Sequence, residues 1–200
     1  MDLKIILSPK TPGSINMATD WKLFQDFEKG LSPPTLRIYS WQPKCVSLGY
    51  SQDPGKISEL EEWQEEGWDI VKRPTGGGIV FHDLNEVSYT VVMPRTKEWR
   101  EAYRLISKAV VTGFKSLGIE VVTRNSEFGI RNSELCFETL NGYEITYKGE
   151  KLVGQAQRLG KKGLLQQGTI KTEILDREIS FEDLSGALVR GFKNDNFGFD

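Results

Sequence analysis

Residues 71–83, Val-Lys-Arg-Pro-Thr-Gly-Gly-Gly-Ile-Val-Phe-His-Asp, hold the densest set of groups able to do chemistry. Gly76, Gly77 and Gly78 carry no Cβ and tolerate positive φ, so bare backbone there can approach a ligand closely. Successive free N–H groups in such a loop can face a carbonyl, carboxylate or phosphate oxygen. Arg73, three residues upstream, offers a fixed fork of donors to the same group. A plain hairpin turn between two strands is the competing reading. His82 is the one histidine of the chain and so its one near-neutral titrator of ordinary pKa. It is a candidate proton acceptor, or else a pin that holds the glycine loop through a backbone bond. Asp83 would orient it or close the turn. A Ser-His-Asp triad is possible on composition, but no Gly-x-Ser-x-Gly elbow accompanies it.

Two cysteines, Cys45 and Cys136, stand far apart and show no framework spacing. With a single histidine they offer no set of zinc ligands, so no metal is expected. Cys45 reads as a small buried strand residue. Cys136, on its own, reads the same way. Its setting argues for more: it ends a polar loop, and Lys151 lies on a neighbouring hairpin arm. An ammonium nearby favours the thiolate over the thiol, and the thiolate is the nucleophile.

The elements that must position these groups follow from the rest of the chain. Its 200 residues suit one domain, 1–200, with enough apolar content (38%) for a core and enough charge (27%) for a globular surface. The net charge of −2 argues against a nucleic-acid binder. No run reaches membrane-spanning length, and the N-terminal apolar stretch is too short for a secretion signal. A reduced, cytoplasmic, monomeric protein is expected. Residues 3–7 read as a strand. Ser14 is a candidate cap for a helix to about residue 29, on which Met17, Trp21, Phe24 and Phe27 share a face. Residues 36–41 and 45–50 read as a hairpin through Pro43-Lys44, and 57–66 as a short acidic helix. Strands at 68–71 and 79–81 flank the glycines, and another runs over 87–93. Helix 97–117 has the plainest pattern, with Trp99, Tyr103, Ile106, Val110, Phe114 and Leu117 stepping by three and four. A strand at 119–122 and a polar loop follow, then strands at 143–147, 151–157 and 164–170 and a helix over 181–192. The expected class is α/β (α+β), a mixed and largely antiparallel sheet with helices packed on one side.

Trp41 with Cys45-Val46-Ser47-Leu48-Gly49, and Lys72-Arg73-Pro74-Thr75-Gly76-Gly77-Gly78-Ile79-Val80-Phe81-His82-Asp83, resemble the N-terminal half of the lipoate–protein ligase A/octanoyltransferase family. Lys151-Leu152-Val153-Gly154-Gln155-Ala156-Gln157-Arg158 and Gln166-Gln167-Gly168-Thr169 resemble its second half, so the likeness spans roughly residues 15–175. The resemblance implies the fold of the biotin and lipoate ligase catalytic domains. It also implies an acyl pocket built from Arg73, Thr75, Gly76, Gly77, Gly78, Ile79, Val80 and Phe81 on one side. Gly154, Gln155, Ala156, Gln167, Gly168 and Thr169 would form the other. Within the family, Cys136-Phe137 before Lys151 is similar to the LipM-type octanoyltransferases, whose acyl-bearing cysteine occupies that place.

That likeness implies catalysis by Cys136, Lys151 and His82. Cys136 takes octanoate from octanoyl acyl carrier protein, then yields it to a lysine of a lipoyl-domain protein (a glycine cleavage H protein, for example). No cofactor is needed for that route. The alternative in the family is a lipoate–protein ligase, with ATP and Mg and with Lys151 on the acyl carboxylate and α-phosphate. A third reading is a non-catalytic acyl-ligand binder. Two departures stand out. Gln167 occupies a position where many relatives have histidine, and the chain ends about thirty residues past Gln-Gln-Gly-Thr, without the accessory domain of full ligases. Acidic carrier and lipoyl domains imply a basic rim, for which Lys72, Arg124, Arg131 and Arg158 are the candidates.

Overall fold

The computed structural model describes residues 2–124 and 143–194. Among them the strands form two sheets. A seven-stranded sheet runs in the order β1 (Lys4–Thr11), β2 (Thr35–Trp41), β6 (Val87–Pro94), β10 (Gly163–Ile170), β9 (Glu150–Leu159), β8 (Glu144–Tyr147) and β7 (Val122–Arg124). A three-stranded sheet places β3 (Cys45–Leu48) between β4 (Asp69–Lys72) and β5 (Val80–His82). All pairings are antiparallel except β1 with β2 and β3 with β4. The mixed, largely antiparallel class therefore holds.

Two local expectations change. Strands β2 and β3 do not form a hairpin through Pro43, because the chain leaves one sheet for the other there. Alternation reports a strand, but not the sheet that it joins. Nor do the helices share one side. The long amphipathic helix α3 (Trp99–Ser116) and the last helix α4 (Phe181–Asn194) cover one face of the large sheet. Ile106, Val110 and Phe114 of α3, with Leu184, Leu188 and Phe192 of α4, are buried against Ile38, Tyr89, Val91, Ile145 and Val153. Helix α1 (Gly13–Glu28) lies on the opposite face, between the sheets. The short helix α2 (Leu60–Glu65) closes the far side of the small sheet, where Trp63, Trp68 and Phe81 pack around Val46 and Leu48.

Helix α1 carries the polar joint of the fold. Its N-terminus is not capped by Ser14. The Asp69 carboxylate, reaching across from β4, accepts from Gly13 N at 3.1 Å and places a negative charge at the positive end of the helix. About two turns further on, Asp20 is wholly buried. Its Oδ1 accepts from Arg37 Nη1 at 2.8 Å. Its Oδ2 accepts from Tyr39 OH at 3.1 Å, Thr90 Oγ1 at 2.6 Å and Gln167 Nε2 at 2.8 Å. Arg37, itself buried, also donates to Asn16 Oδ1 at 2.6 Å. One carboxylate thus ties α1 to β2, β6 and β10. Removing one member of a buried ion pair leaves the other charge unpaired, a loss of roughly 3–5 kcal/mol. Asp20→Ala is expected to lose about that much in urea unfolding. A change below about 1 kcal/mol would show that the joint carries no stability.

Candidate active site

The loop 73–79 joins β4 to β5, and those strands flank β3 instead of pairing with each other. The triple glycine is therefore not a hairpin turn. Gly77 has φ of +93°, which favours glycine, and a Cβ at Gly49 would meet the Gly77 carbonyl oxygen at 1.9 Å. The loop thus lies flat against the end of β3. Arg73 holds it there from inside. Its Nη2 donates to the carbonyls of Gly76 at 2.8 Å and Gly78 at 2.6 Å, and its Nη1 to Ser47 O at 2.8 Å. The guanidinium expected to face a ligand is instead spent on backbone carbonyls, which glycine leaves open to it.

A cleft of about 30 Å³ opens between the two sheets. Small residues Gly154 and Ala156 of β9, with Gly168 and Thr169 of β10, form one wall. Val80, Ser47, Arg73 and His82 form the other, and Met17, Tyr39 and Trp41 close the end. Gln167 lines the cleft and joins the halves: it accepts from Thr75 Oγ1 at 2.7 Å and donates to Asp20. Strand alternation excludes three residues expected here. Ile79 and Phe81 point to the opposite side of the small sheet, into the cluster around Trp63. Gln155 points to the helix side of the large sheet, where its Nε2 donates to Ser107 Oγ of α3 at 3.1 Å.

His82 is buried in the cleft wall. Its Nε2 lies 2.8 Å from Ser47 Oγ and its Nδ1 lies 2.6 Å from Glu86 Oε1. Trp41 stacks on the ring at 3.9 Å between centroids, 15° from parallel. Glu86 and Ser47 are the residues that the sequence reading missed. The available signal was alternation in β3, which puts Ser47 on the face of Cys45, opposite Val80 and beside His82. Asp83 does not touch His82 in any described bond: its Oδ1 accepts from the N–H groups of Asn85 and Glu86 and closes the turn. That turn is what brings Glu86 back under the ring.

Lys151 reaches the cleft side of the large sheet by an irregularity. In β8–β9 pairing Ile145 faces Val153, while Thr146 faces Lys151, so Leu152 is an extra residue, a β-bulge. Leu152 and Val153 both enter the helix-side core, and Lys151 falls on the face of Gly154 and Ala156. There its ammonium is buried, with Nζ 2.6 Å from Glu144 Oε1, though off the line of a well-directed hydrogen bond. Cys136 and Arg131 lie outside the described residues. Cys45 is fully buried, and burial followed by the Asp69 and Glu86 charges pushes its thiol far up, so it is inert. Arg158 stacks between Trp21 (4.8 Å) and Tyr50 (4.5 Å), and Lys72 lies 5.9 Å over the same Tyr50 ring. These two cations make a short basic edge beside Pro74, whose carbonyl Arg158 also holds at 3.1 Å. No group of three or more metal-ligating side chains converges among the described residues.

Burial, then the Arg73 charge, pulls His82 well below its usual 6.5. Burial pushes Glu86 well above 4.5, against the pull of the Thr169 hydroxyl. Below about 6.5 the unfolded histidine binds a proton that the folded one refuses, so the His82 contribution is present above that pH and lost as pH falls. Glu86 has the opposite sign: the folded carboxyl keeps a proton that the unfolded one releases, so its contribution declines as pH rises through the raised pKa. His82→Gln is therefore expected to lose less stability than the unmodified chain between about pH 7 and 5, read by urea unfolding. Parallel pH curves for the two would exclude the buried neutral imidazole.

Residues 12–193 match the family model of the lipoyl protein ligase A/B catalytic domain. An octanoyltransferase LipM from Geobacillus kaustophilus is 36% identical over 95% of this chain and 74% of its own length. A lipoate–protein ligase A bound with ATP superposes with a TM-score of 0.80 at 23% identity, over 98% of this chain and 85% of that one. A bi-partite lipoate protein ligase, solved with its E2 lipoyl domain from Thermoplasma acidophilum, gives a TM-score of 0.71 at 21% identity, over 97% and 84% of the two chains.

Proposed function

The chain belongs to the lipoyl protein ligase A/B catalytic domain family, and from that footing we propose that it is an octanoyltransferase of protein lipoylation. The observation that carries this is its identity, over nearly its whole length, with octanoyltransferases of the LipM type. The enzyme is an acyltransferase, and its acceptor is a lysine of a lipoyl-domain protein. The donor is octanoyl acyl carrier protein, and the acyl group waits on Cys136 as a thioester, in the cytoplasm.

Cys136 thiolate attacks the donor thioester, the carrier C–S bond breaks, and the carrier leaves as a thiolate that takes a proton from solvent. The neutral acceptor amine then attacks the Cys136 thioester, the C–S bond breaks with its electron pair on sulfur, and the amine's surplus proton passes to solvent, so that the amide and the Cys136 thiolate result. Thioester exchange is nearly neutral in free energy and amide formation is downhill, so no nucleotide is consumed. The Lys151 ammonium favours the thiolate in both steps. The buried carboxylate of Glu144, 2.6 Å from Nζ, fixes that ammonium in place. The cleft is large enough for about two waters. An eight-carbon chain enters as Met17, an unbranched and adaptable thioether, turns aside.

Incubation with octanoyl acyl carrier protein, without ATP, is expected to add one octanoyl group at Cys136, read by intact mass and peptide mapping. Pyrophosphate release from lipoate and ATP, persisting in Cys136→Ser, would instead establish a ligase. Tight acyl binding with neither product would establish a binder. Lys72→Glu and Arg158→Glu should slow acceptor association several-fold at low salt and much less at high salt, since exposed charges are screened. Equal slowing at both salts would count against a basic docking edge.

A further inference from the structure

The end of the large sheet where β9 turns into β10 carries a charged surface that no step above uses. Residues 160–162 form the turn, and Gly163 beyond it pairs with Pro94, the last residue of β6. Arg95 fastens the two segments together: its N–H donates to Lys162 O at 2.8 Å and its Nη1 to Gly160 O at 3.0 Å. From the other side the Glu28 carboxylate of α1 accepts from the N–H groups of Lys161, Lys162 and Gly163 at 3.0, 3.0 and 2.6 Å. The turn is therefore held in one shape, and the side chains of Lys161 and Lys162 stand exposed on it. Arg95, Lys97 and Arg100, on the segment that leads into α3, are exposed as well. Among the described residues none of these five cations enters an ion pair. The acids on the same segments are Glu98, Glu101 and Glu28, and Glu28 is spent on backbone N–H groups. Two large apolar side chains lie open among the cations, Trp99 at 47% and Leu159 at 43% exposure. Leu159 pairs with Leu164 of the helix-side core, so it faces the side on which α3 begins at Trp99. Arg100 lies over the Trp99 ring at 4.9 Å. In a chain of net charge −2, a rigid basic surface with apolar side chains at its centre is the complement of an acidic, partly apolar partner.

We propose that this surface docks the acidic body of the acyl carrier protein that delivers octanoate, apart from the Lys72–Arg158 edge assigned above to the acceptor. The inference rests on the transfer reading and gives its donor a place on the fold. Reach decides between the two partners. The acceptor presents its nitrogen on a four-carbon stem, so its domain must come up to the cleft itself. The carrier presents its thioester at the end of a much longer prosthetic arm. From Ala156 in the cleft wall to Lys161 in the turn is roughly 16 Å of extended chain, beyond a lysine stem and within the span of that arm. Strands β9 and β10 run from the one place to the other, so a carrier body held at the turn lies in line with the cleft wall. Trp99 and Leu159 supply the contact that excludes water, with tryptophan the commonest kind of anchor. The five cations select the sign of the partner and speed its approach.

Binding is measured on the full chain by fluorescence anisotropy, with acyl carrier protein that bears its prosthetic arm but no acyl group, so that nothing is transferred. The double variant Lys97→Glu/Lys161→Glu reverses two side chains that hold nothing else among the described residues. It is expected to weaken carrier binding on the order of tenfold at low salt and much less at high salt. Trp99→Ser should weaken it at both salts alike, because an apolar contact is not screened. In turnover the same variants should raise KM for octanoyl acyl carrier protein and leave kcat unchanged. With octanoyl pantetheine, which has the arm but no acidic body, they should match the unmodified chain, and their binding of a lipoyl domain should be unaltered. Carrier binding that ignores the charge reversal, or lipoyl-domain binding that falls in its place, overturns the docking assignment and leaves the transferase reading standing. Anionic vesicles retained by the unmodified chain and released by the variant, with carrier binding kept, make the surface a membrane contact and overturn it equally. An unmodified chain that takes octanoate from neither donor overturns the transferase reading, and the donor surface with it.

Discussion

A single buried carboxylate, that of Asp20, sets the geometry on which the cleft depends. Its two oxygens take donors from three strands of the large sheet, and one of those donors is the Gln167 amide. Gln167 in turn accepts from Thr75, at the head of the glycine loop. Helix, sheet and loop are thereby linked in one buried hydrogen-bonded path, where the low local dielectric strengthens each bond. The apolar clusters on either side supply cohesion but no angular precision. The polar path supplies the angles.

Much of this was legible in the order of residues, and the reason is periodicity. Helix α3 declares itself because Ile106, Val110 and Phe114 recur at the helical interval, and those positions form the core. The glycine loop declares itself by composition. What the order of residues does not hold is partnership. A β-strand pattern at 45–50 is the same whether the strand returns to β2 or starts a second sheet, so the crossing at Pro43 was unreadable. Arg73 looked like a ligand donor because side-chain chemistry was visible and the competing carbonyls of Gly76 and Gly78 were not. Asp83 looked like the partner of His82 because it is adjacent. The turn it closes gives that place to Glu86, three residues further on.

The candidate site shows the same division. The residues with family-like spacing, His82, Lys151, Gly154, Ala156, Gln167 and Thr169, do fall on facing walls or on one face of a strand. Ile79, Phe81 and Gln155 are in the same motifs but point away, since consecutive strand residues face opposite sides. Ser47 was marked only by alternation in β3, which places it on the face of Cys45 but names no partner. Its partners are neighbours in space: a cation that can only donate, the His82 ring, and behind that ring the carboxyl that holds it.

The extra residue at Leu152 has a reach beyond its own hydrogen bonds. It reverses the parity of strand β9, so that odd-numbered positions face the cleft before it and even-numbered ones after it. One count of alternation therefore cannot describe the strand from end to end. A sequence comparison that slides a gap by a single place here would swap lining for core across seven residues. The cationic and the small, bare portions of this strand belong to one surface only because the chain changes step between them.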